Sequence, residues 1–257
     1  MPDSVAFDRA ATYYDRTRGM SPPAMERLIA VLAGELRDAD RVLEVGVGTG
    51  MISLPLARSG LRMTGIDLSR PMLSRLVEKG GPGGFPAVQA DATALPFATG
   101  IFDAAVMRHV LHLIPDWRAA VAEALRVVRS GGKLLVSHGS YPEPYRSLFR
   151  RFLEEAGVDR PWVGLPPGSE AVLDDLLTGS GARARTLEPV IDEVEEPLEG
   201  FVEGMRRGLY SWTWEVDERR RREAAGRVAA WAERHVEPLG ASAVRAHQTV
   251  FRAYDLP

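Results

Sequence analysis

Apolar positions in the first half of the chain follow two alternating patterns. Short, nearly continuous apolar runs, typical of buried strands, are separated by stretches in which apolar residues recur at helical spacing. After Ser69, for example, Met72, Leu73, Leu76 and Val77 form one apolar stripe. Strands that alternate with helices at this spacing predict βαβ units around a mostly parallel sheet. The predicted strands cover 41–46, 61–66, 87–90, 102–107 and 133–137.

The pattern changes after Gly139, where prolines interrupt a series of helical stretches. Residues 183–194 and 248–254 are predicted as two more strands, which brings the sheet to seven. The fold class that follows is α/β, a three-layer sandwich around a mostly parallel seven-stranded sheet. Helices near the C-terminal strands are expected to form an inserted cap. The predicted helices of this half cover 145–156, 169–178, 198–210 and 217–236.

Composition narrows the class of protein further. The chain has 257 residues and a formal net charge of −3, whereas general polyanion binders are usually basic. Nucleic acid is therefore disfavoured as a partner. The absence of cysteine excludes disulfides, thiolate nucleophiles and cysteine-ligated metal centres. The N-terminus has no apolar signal region, and no apolar run reaches the length of a membrane span, so we expect a cytoplasmic protein.

A glycine-rich turn follows the first predicted strand and opens a helix. Its glycines, Gly46, Gly48 and Gly50, let the backbone approach a ligand closely. The spacing is G-x-G-x-G, whereas the dinucleotide fingerprint is G-x-G-x-x-G. Asp67 ends the second strand, where a carboxylate can accept hydrogen bonds from a ribose diol. Asp91 ends the third strand and is suited to accept from an exocyclic amine, so both carboxylates are expected on one ligand-binding edge of the sheet.

Five segments with this order and spacing resemble the class I S-adenosylmethionine (SAM) dependent methyltransferases, specifically the type 11 group of small-molecule methylators. The resemblance spans about half of the chain and implies a Rossmann-like fold, SAM as the cofactor, S-adenosylhomocysteine as its product and a small-molecule acceptor. The matching segments are VLEVGVGTG (42–50), GIDLSRPML (65–73), ADATALPF (90–97), FDAAVMRHVLHLIPDW (102–117) and LRVVRSGGKLLVS (125–137).

The resemblance also implies which residues contact the methionine end of SAM. Glu44, Gly46 and Gly48 would line this end, with the backbone of Gly46 and Val47 close to it. The carbonyl of Arg108 would face the ammonium group.

The nucleoside end of SAM would meet residues that follow the second and third strands. Asp67 would hold the ribose hydroxyls. Leu68 and Met72 would enclose the adenine ring between them. Asp91 would accept from its amino group, and the Ala92 N–H would meet a ring nitrogen.

The amino-terminal stretch FDRAATYYDRTRG (7–19) resembles the lid segment of the same family. Tyr14 and Arg18 would then close over the methionine carboxylate of SAM. Three domains are predicted on this basis: an N-terminal helical lid segment at 1–40, a SAM-binding core at 41–139, and a region at 140–257 that holds the remaining strands and a cap at roughly 197–240.

His109 is the candidate catalytic base, because it directly follows the fourth strand and an imidazole accepts a proton near neutral pH. The alternative is a polar residue at a helix start, hydrogen-bonded to backbone. Such a base is needed only if the acceptor loses a proton on methylation. The other histidines show no metal-binding spacing, so no metal site is expected.

The predicted cap interrupts a connection that is usually a short hairpin in the family. Aromatic residues crowd this insertion, among them Tyr210, Trp212 and Trp214. They are candidates for an apolar acceptor pocket over the methyl-transfer site. The alternative is that they simply pack the cap.

Three other functions stay open at this point. A nicotinamide-dependent oxidoreductase is one, since Glu44 to Gly50 with Asp67 can mimic a dinucleotide site. A binding or regulatory protein that holds SAM without turnover is the second. An RNA or protein methyltransferase is the third, and the net charge argues mildly against RNA.

Overall fold

The chain forms two units in its computed structural model, which describes residues 4–137, 139 and 141–257. The first unit is Met1–Gly139, Val163–Val190 and Thr249–Pro257. The second unit is Ser140–Trp162 and Ile191–Gln248.

The first unit is built on a seven-stranded sheet with the strand order β3-β2-β1-β4-β5-β9-β6. Neighbouring strands are parallel except that β9 runs antiparallel to both β5 and β6. The predicted mostly parallel seven-stranded sheet is therefore confirmed. Its strands are β1 (Arg41–Val45), β2 (Arg62–Asp67), β3 (Ala87–Gln89), β4 (Phe102–Arg108), β5 (Val128–Ser137), β6 (Arg183–Thr186) and β9 (Arg252–Asp255).

Both faces of this sheet are buried, which makes three layers. Val42 and Val106 belong to one buried cluster, while Leu43 and Met107, next to them in sequence, belong to another. Because successive strand residues point to opposite faces, each cluster covers one side of the sheet. The helices of this unit are α1 (Tyr14–Arg18), α2 (Pro22–Glu35), α3 (Ser53–Arg58), α4 (Arg70–Gly80), α5 (Trp117–Val127) and α7 (Glu170–Gly179).

Three helices of the first unit begin at side-chain caps. Ser21, Ser69 and Asp116 each accept a hydrogen bond from the backbone N–H three residues later, at 3.4, 3.3 and 3.0 Å. The cap at Ser69 matters most for the site, since it fixes the start of α4 directly after β2.

The second unit has its own buried cluster, formed mainly by helices and aromatic rings. It includes 141–162 and two strands in addition to the region predicted as a cap. Its elements are α6 (Tyr145–Ala156), β7 (Val190–Glu196), α8 (Glu199–Arg207), α9 (Glu218–His235) and β8 (Ala243–Thr249), with β7 and β8 paired as a separate sheet.

Two strand predictions need correction. Residues 183–194 form two strands, β6 and β7, in different sheets. Pro189 lies between them, and proline cannot donate a ladder hydrogen bond. Residues 248–254 likewise contain the end of β8 and most of β9, so the two-stranded sheet was missed altogether.

No helix in the described part of the chain is both long and apolar enough to cross a membrane.

Candidate functional site

An open pocket of about 650 Å³, part of it exposed to solvent, lies in the first unit at the carboxyl ends of β1, β2 and β4. Nine of the twelve predicted cofactor residues line it: Tyr14, Gly46, Gly48, Asp67, Leu68, Met72, Asp91, Ala92 and Arg108. The candidate base His109 lines it as well.

The glycine turn closes onto the end of β2. The N–H groups of Gly46 and Val47 both donate to the Ile66 carbonyl at 2.9 Å. Gly46 and Gly48 have φ values of +76° and +54°, a region that residues with a Cβ rarely adopt. A Cβ at Gly46 would also lie 2.6 Å from Cγ2 of Val110, so this position requires glycine.

Asp67 connects the glycine turn to the start of α4. Its Oδ2 accepts from the Gly48 N–H and its Oδ1 from the Ser69 N–H, both at 2.8 Å. Burial raises the pKa of this carboxyl above its ordinary value, although the backbone donors oppose the shift. A carboxylate has about four acceptor sites, so these two bonds leave capacity for ligand hydroxyls.

The walls beyond Asp67 are mostly apolar. Leu68 and Met72 line the pocket beside Asp91 and Ala92. The Oδ1 of Asp91 accepts from the Thr93 N–H at 2.9 Å, which fixes the carboxyl group at the end of the third-strand segment. This combination offers flat apolar contact with a hydrogen-bond acceptor at its edge, as an adenine ring requires.

Glu44, Tyr14 and Arg108 form the ionisable end of the site. Glu44 is 3% exposed, accepts a hydrogen bond from the Ser53 hydroxyl and is not one of the residues that line the pocket. Burial raises the pKa of Glu44 to about 8, in spite of the opposing Ser53 hydrogen bond and Arg108 charge. Burial likewise raises the pKa of Tyr14 and lowers that of Arg108.

The other two predicted cofactor residues also lie outside the pocket walls. Val47 is 3% exposed and packs against Leu73 and Leu76. The Arg18 guanidinium donates to the Thr17 carbonyl at 3.0 Å. Their predicted contacts with SAM stay predictions.

The side chain of Arg108 is a feature that sequence reasoning missed, since only its carbonyl was assigned a role. Its Nη1 approaches Met51 Sδ at 3.5 Å. Its Nε–H is buried and has no hydrogen-bond partner among the described residues. A buried unpaired donor is costly, and a ligand carboxylate would satisfy it. The residues present therefore fit SAM, with a donor and carboxyl groups at one end and apolar walls at the other.

His109 adopts a left-handed backbone conformation, with φ +53°. It is the only non-glycine residue with positive φ in the described chain. Its N–H donates to the Ser137 carbonyl at 3.0 Å, and its ring lies so close to Gly139 that a Cβ there would be 2.6 Å from the imidazole Cε1. The 3-10 turn Leu111–Leu113 begins later, so His109 does not cap it. Such held strain is frequent at functional positions.

Several apolar wall residues were not predicted. Val5 and Phe7 come from the amino-terminal stretch, while Val110, Leu113 and Ile114 follow β4. The last three lie inside the FDAAVMRHVLHLIPDW segment, so their run of apolar residues directly after a site strand was the available signal. Among the described residues, no group of His, Asp or Glu side chains could hold a metal ion.

The aromatic residues proposed for the acceptor pocket lie in the second unit. Tyr210 and Trp212 are 8% and 3% exposed and belong to that unit's buried cluster. The Trp214 Nε1–H donates to the Gly208 carbonyl at 3.0 Å. At least the first two of these rings stabilise the unit that contains them.

Comparisons with known proteins agree on the class of this chain. Residues 43–136 match a family model described as a methyltransferase domain. A demethylmenaquinone methyltransferase of Renibacterium salmoninarum is 38% identical over 162 residues, which cover 60% of this chain and 68% of the relative. One of Streptomyces avermitilis is 33% identical over 178 residues, covering 66% and 73%. A solved structure from Bacillus halodurans, assigned as a methyltransferase, shares the fold with a TM-score of 0.62 and 20% identity, over 91% of this chain and 98% of that one.

Proposed function

This chain belongs to the class I SAM-dependent methyltransferases, in their type 11 group, and on that premise we propose that it methylates a small, partly apolar acceptor from the pocket of the first unit. The observation that carries the proposal is the pair of backbone hydrogen bonds that the Asp67 carboxylate accepts. One carboxylate holds the glycine turn through Gly48 and the start of α4 through Ser69, so the turn and the apolar wall face one space.

We assign the ends of the pocket by their chemistry. Asp67 would accept from the ribose hydroxyls, and Asp91 from the adenine amine, with Leu68 and Met72 against the ring. At the ionisable end, Arg108 would donate to the methionine carboxylate.

Methyl transfer requires little covalent chemistry from the protein itself. Bound SAM supplies an activated methyl group on a sulfonium with a good leaving group. The chain's own contribution is to position the acceptor for in-line displacement and to exclude water. His109 would accept a proton from an acceptor O–H, N–H or acidic C–H, and its backbone conformation fixes where the imidazole lies.

The acceptor class is a small ring compound with apolar surface. Val110, Leu113 and Ile114 supply an apolar wall next to His109, which suits an acceptor with one ionisable group on an apolar body. Two relatives are named for demethylmenaquinone, so a reduced quinone ring is the first acceptor to test.

Turnover with a panel of acceptors tests this proposal. Purified protein is incubated with SAM and reduced quinones, phenols or aliphatic amines, and S-adenosylhomocysteine is quantified. We expect product only with ring compounds that carry an ionisable group. Product formation on RNA or protein alone would overturn the acceptor class, and SAM binding without turnover on any acceptor would favour a binding protein.

Asp67→Ala is expected to weaken SAM binding about ten- to a hundredfold, since it removes charge-assisted hydrogen bonds and releases the glycine turn from α4. Asp67→Asn, which keeps the side-chain volume, should lose less. Titration calorimetry measures both, with the melting temperature as the control for folding. An unchanged affinity in a folded Asp67→Ala protein would remove this residue from the site.

SAM affinity should rise with pH between about 6 and 8. A bound cation favours the Glu44 carboxylate, whose pKa is about 8 without ligand, so binding releases a proton in this range. The rise is at most about tenfold per pH unit and should flatten above pH 8. Calorimetry in buffers of different ionisation enthalpy detects the proton, and Glu44→Gln should abolish its release. Proton release that persists in this variant would contradict the assignment.

The raised pKa of Glu44 also affects the stability of the ligand-free protein, which should fall as the pH rises. Because the folded-state pKa of Glu44 lies above the ordinary 4.5, the neutral carboxyl favours folding at low pH. This contribution is present below about pH 4.5 and is lost as the pH rises toward 8. The free energy of unfolding of Glu44→Gln should therefore fall less steeply over this range than that of the wild type.

A further inference from the structure

Three polar side chains form a closed triangle next to the glycine turn. The Thr49 hydroxyl donates to Oδ1 of Asp15 at 2.5 Å. The Lys79 ammonium donates to Oδ2 of Asp15 at 2.7 Å and to the Thr49 hydroxyl at 3.3 Å. Each member of the triangle therefore contacts the other two.

The triangle joins three separate parts of the first unit. Asp15 lies on α1, Thr49 is in the glycine turn, and Lys79 is in the last turn of α4. Thr49 is only 1% exposed, so its hydroxyl exchanges little with water. The Asp15 and Lys79 side chains are 44% and 38% exposed, so salt weakens their pairing.

The helix that carries Asp15 is short. α1 has only five residues, and its first turn has no side-chain cap. An isolated helix of this length is unstable in water. Tyr14, the residue next to Asp15, lines the pocket and packs edge-on against Phe7, which also lines it, at 5.9 Å.

We propose that Asp15, Thr49 and Lys79 are positioning residues that hold α1 at the pocket and thereby set how fast the cofactor leaves. The inference rests on the proposed function, because the ligand retained is SAM or its product. When the triangle is closed, Tyr14 and Phe7 form part of the pocket wall. When it opens, α1 loses its charged anchor, the wall retracts, and the ligand exchanges with solvent.

Lys79 is the best residue to change, because it touches neither the pocket nor the glycine backbone. Lys79→Met should speed dissociation of S-adenosylhomocysteine about two- to fivefold at low salt. Asp15→Ala, which also takes the acceptor from Thr49, should speed it about tenfold. Lys79→Arg keeps the positive charge, so its dissociation rate should stay close to that of the wild type. Arg75→Met is the matched control, since it removes the same charge from α4 where the partner is Glu78.

Two measurements on each variant decide the question. Hydrogen exchange of residues 8–18 in the ligand-free protein reports the anchor, and stopped-flow dissociation of S-adenosylhomocysteine reports retention. We expect both to accelerate together in Lys79→Met and Asp15→Ala, with unchanged melting temperatures and no effect in Arg75→Met. Adding salt should raise the dissociation rate of the wild type toward that of Lys79→Met and leave the rate of this variant nearly unchanged.

The outcomes separate this inference from the function on which it rests. Wild-type protein that binds neither SAM nor S-adenosylhomocysteine contradicts the proposed function. Wild-type binding with unchanged exchange in both variants overturns the anchor. Faster exchange with unchanged ligand dissociation overturns its role in retention.

Discussion

Trp212→Ala is expected to destabilise the second unit by about 3–5 kcal/mol. Trp212 is 3% exposed and stacks on Tyr210 at 5.1 Å with an interplanar angle of 5°. Phe149 and Phe152 meet it edge-on, with ring centroids 4.9 and 5.2 Å away. Truncation would leave a large cavity between these rings and would also remove the indole hydrogen bond to the Tyr141 hydroxyl. Denaturant unfolding followed by circular dichroism measures the change.

Trp231→Ala is the matched control for this prediction. Trp231 belongs to the same unit but is only partly buried, and its ring stacks on His235. Trp231→Ala should therefore lose clearly less stability than Trp212→Ala. Equal stability of the wild type and Trp212→Ala would contradict the packing account and return Trp212 to the candidates for acceptor contact.

The buried position of Trp212 and Tyr210 changes how acceptor selection by the second unit must be tested. A variant that unfolds this unit loses every activity together, so truncating these rings cannot show selectivity. The role of 197–240 in acceptor choice stays a prediction. Substitutions of exposed residues in this region, with kcat/KM compared for acceptors of different size, would test it.

His109→Gln is expected to lower kcat on the order of a hundredfold while the affinity for S-adenosylhomocysteine barely changes. The imidazole lines the pocket directly after β4, and its removal takes away the only base assigned to the acceptor proton.

His109→Asn separates loss of the base from backbone strain. Asparagine tolerates positive φ better than glutamine, so it suits the φ of +53° at this position. If both variants lose kcat equally at unchanged melting temperature, the imidazole itself is needed. If His109→Asn keeps full activity, His109 serves the backbone and not the proton transfer.

The core of the fold was predictable because its signals are local. Apolar runs at strand and helix spacing and the glycine turn each depend on residues close together in sequence. The candidate site residues follow the same rule, since Asp67 ends β2 and Asp91 lies two residues after β3 of the same sheet. Residues next to strand ends are brought together by the topology alone.

What could not be predicted depends on contacts between distant segments. β7 pairs with β8, although two helices separate these strands along the chain. The sequence of one strand does not indicate which other strand it pairs with. Glu44 likewise follows the family pattern, but only packing buries its side chain and raises its pKa. Asp15, Thr49 and Lys79 lie far apart in the sequence, and no spacing rule predicts that they form a triangle.

Titration calorimetry of the wild-type protein with SAM, S-adenosylhomocysteine and NADH tests the central claim most directly, namely that the pocket of the first unit is a SAM site. The account predicts that SAM and S-adenosylhomocysteine bind one site per chain and that NADH gives no heat of binding. Tighter binding of NADH than of SAM, or no binding of either SAM or its product by folded protein, would contradict it.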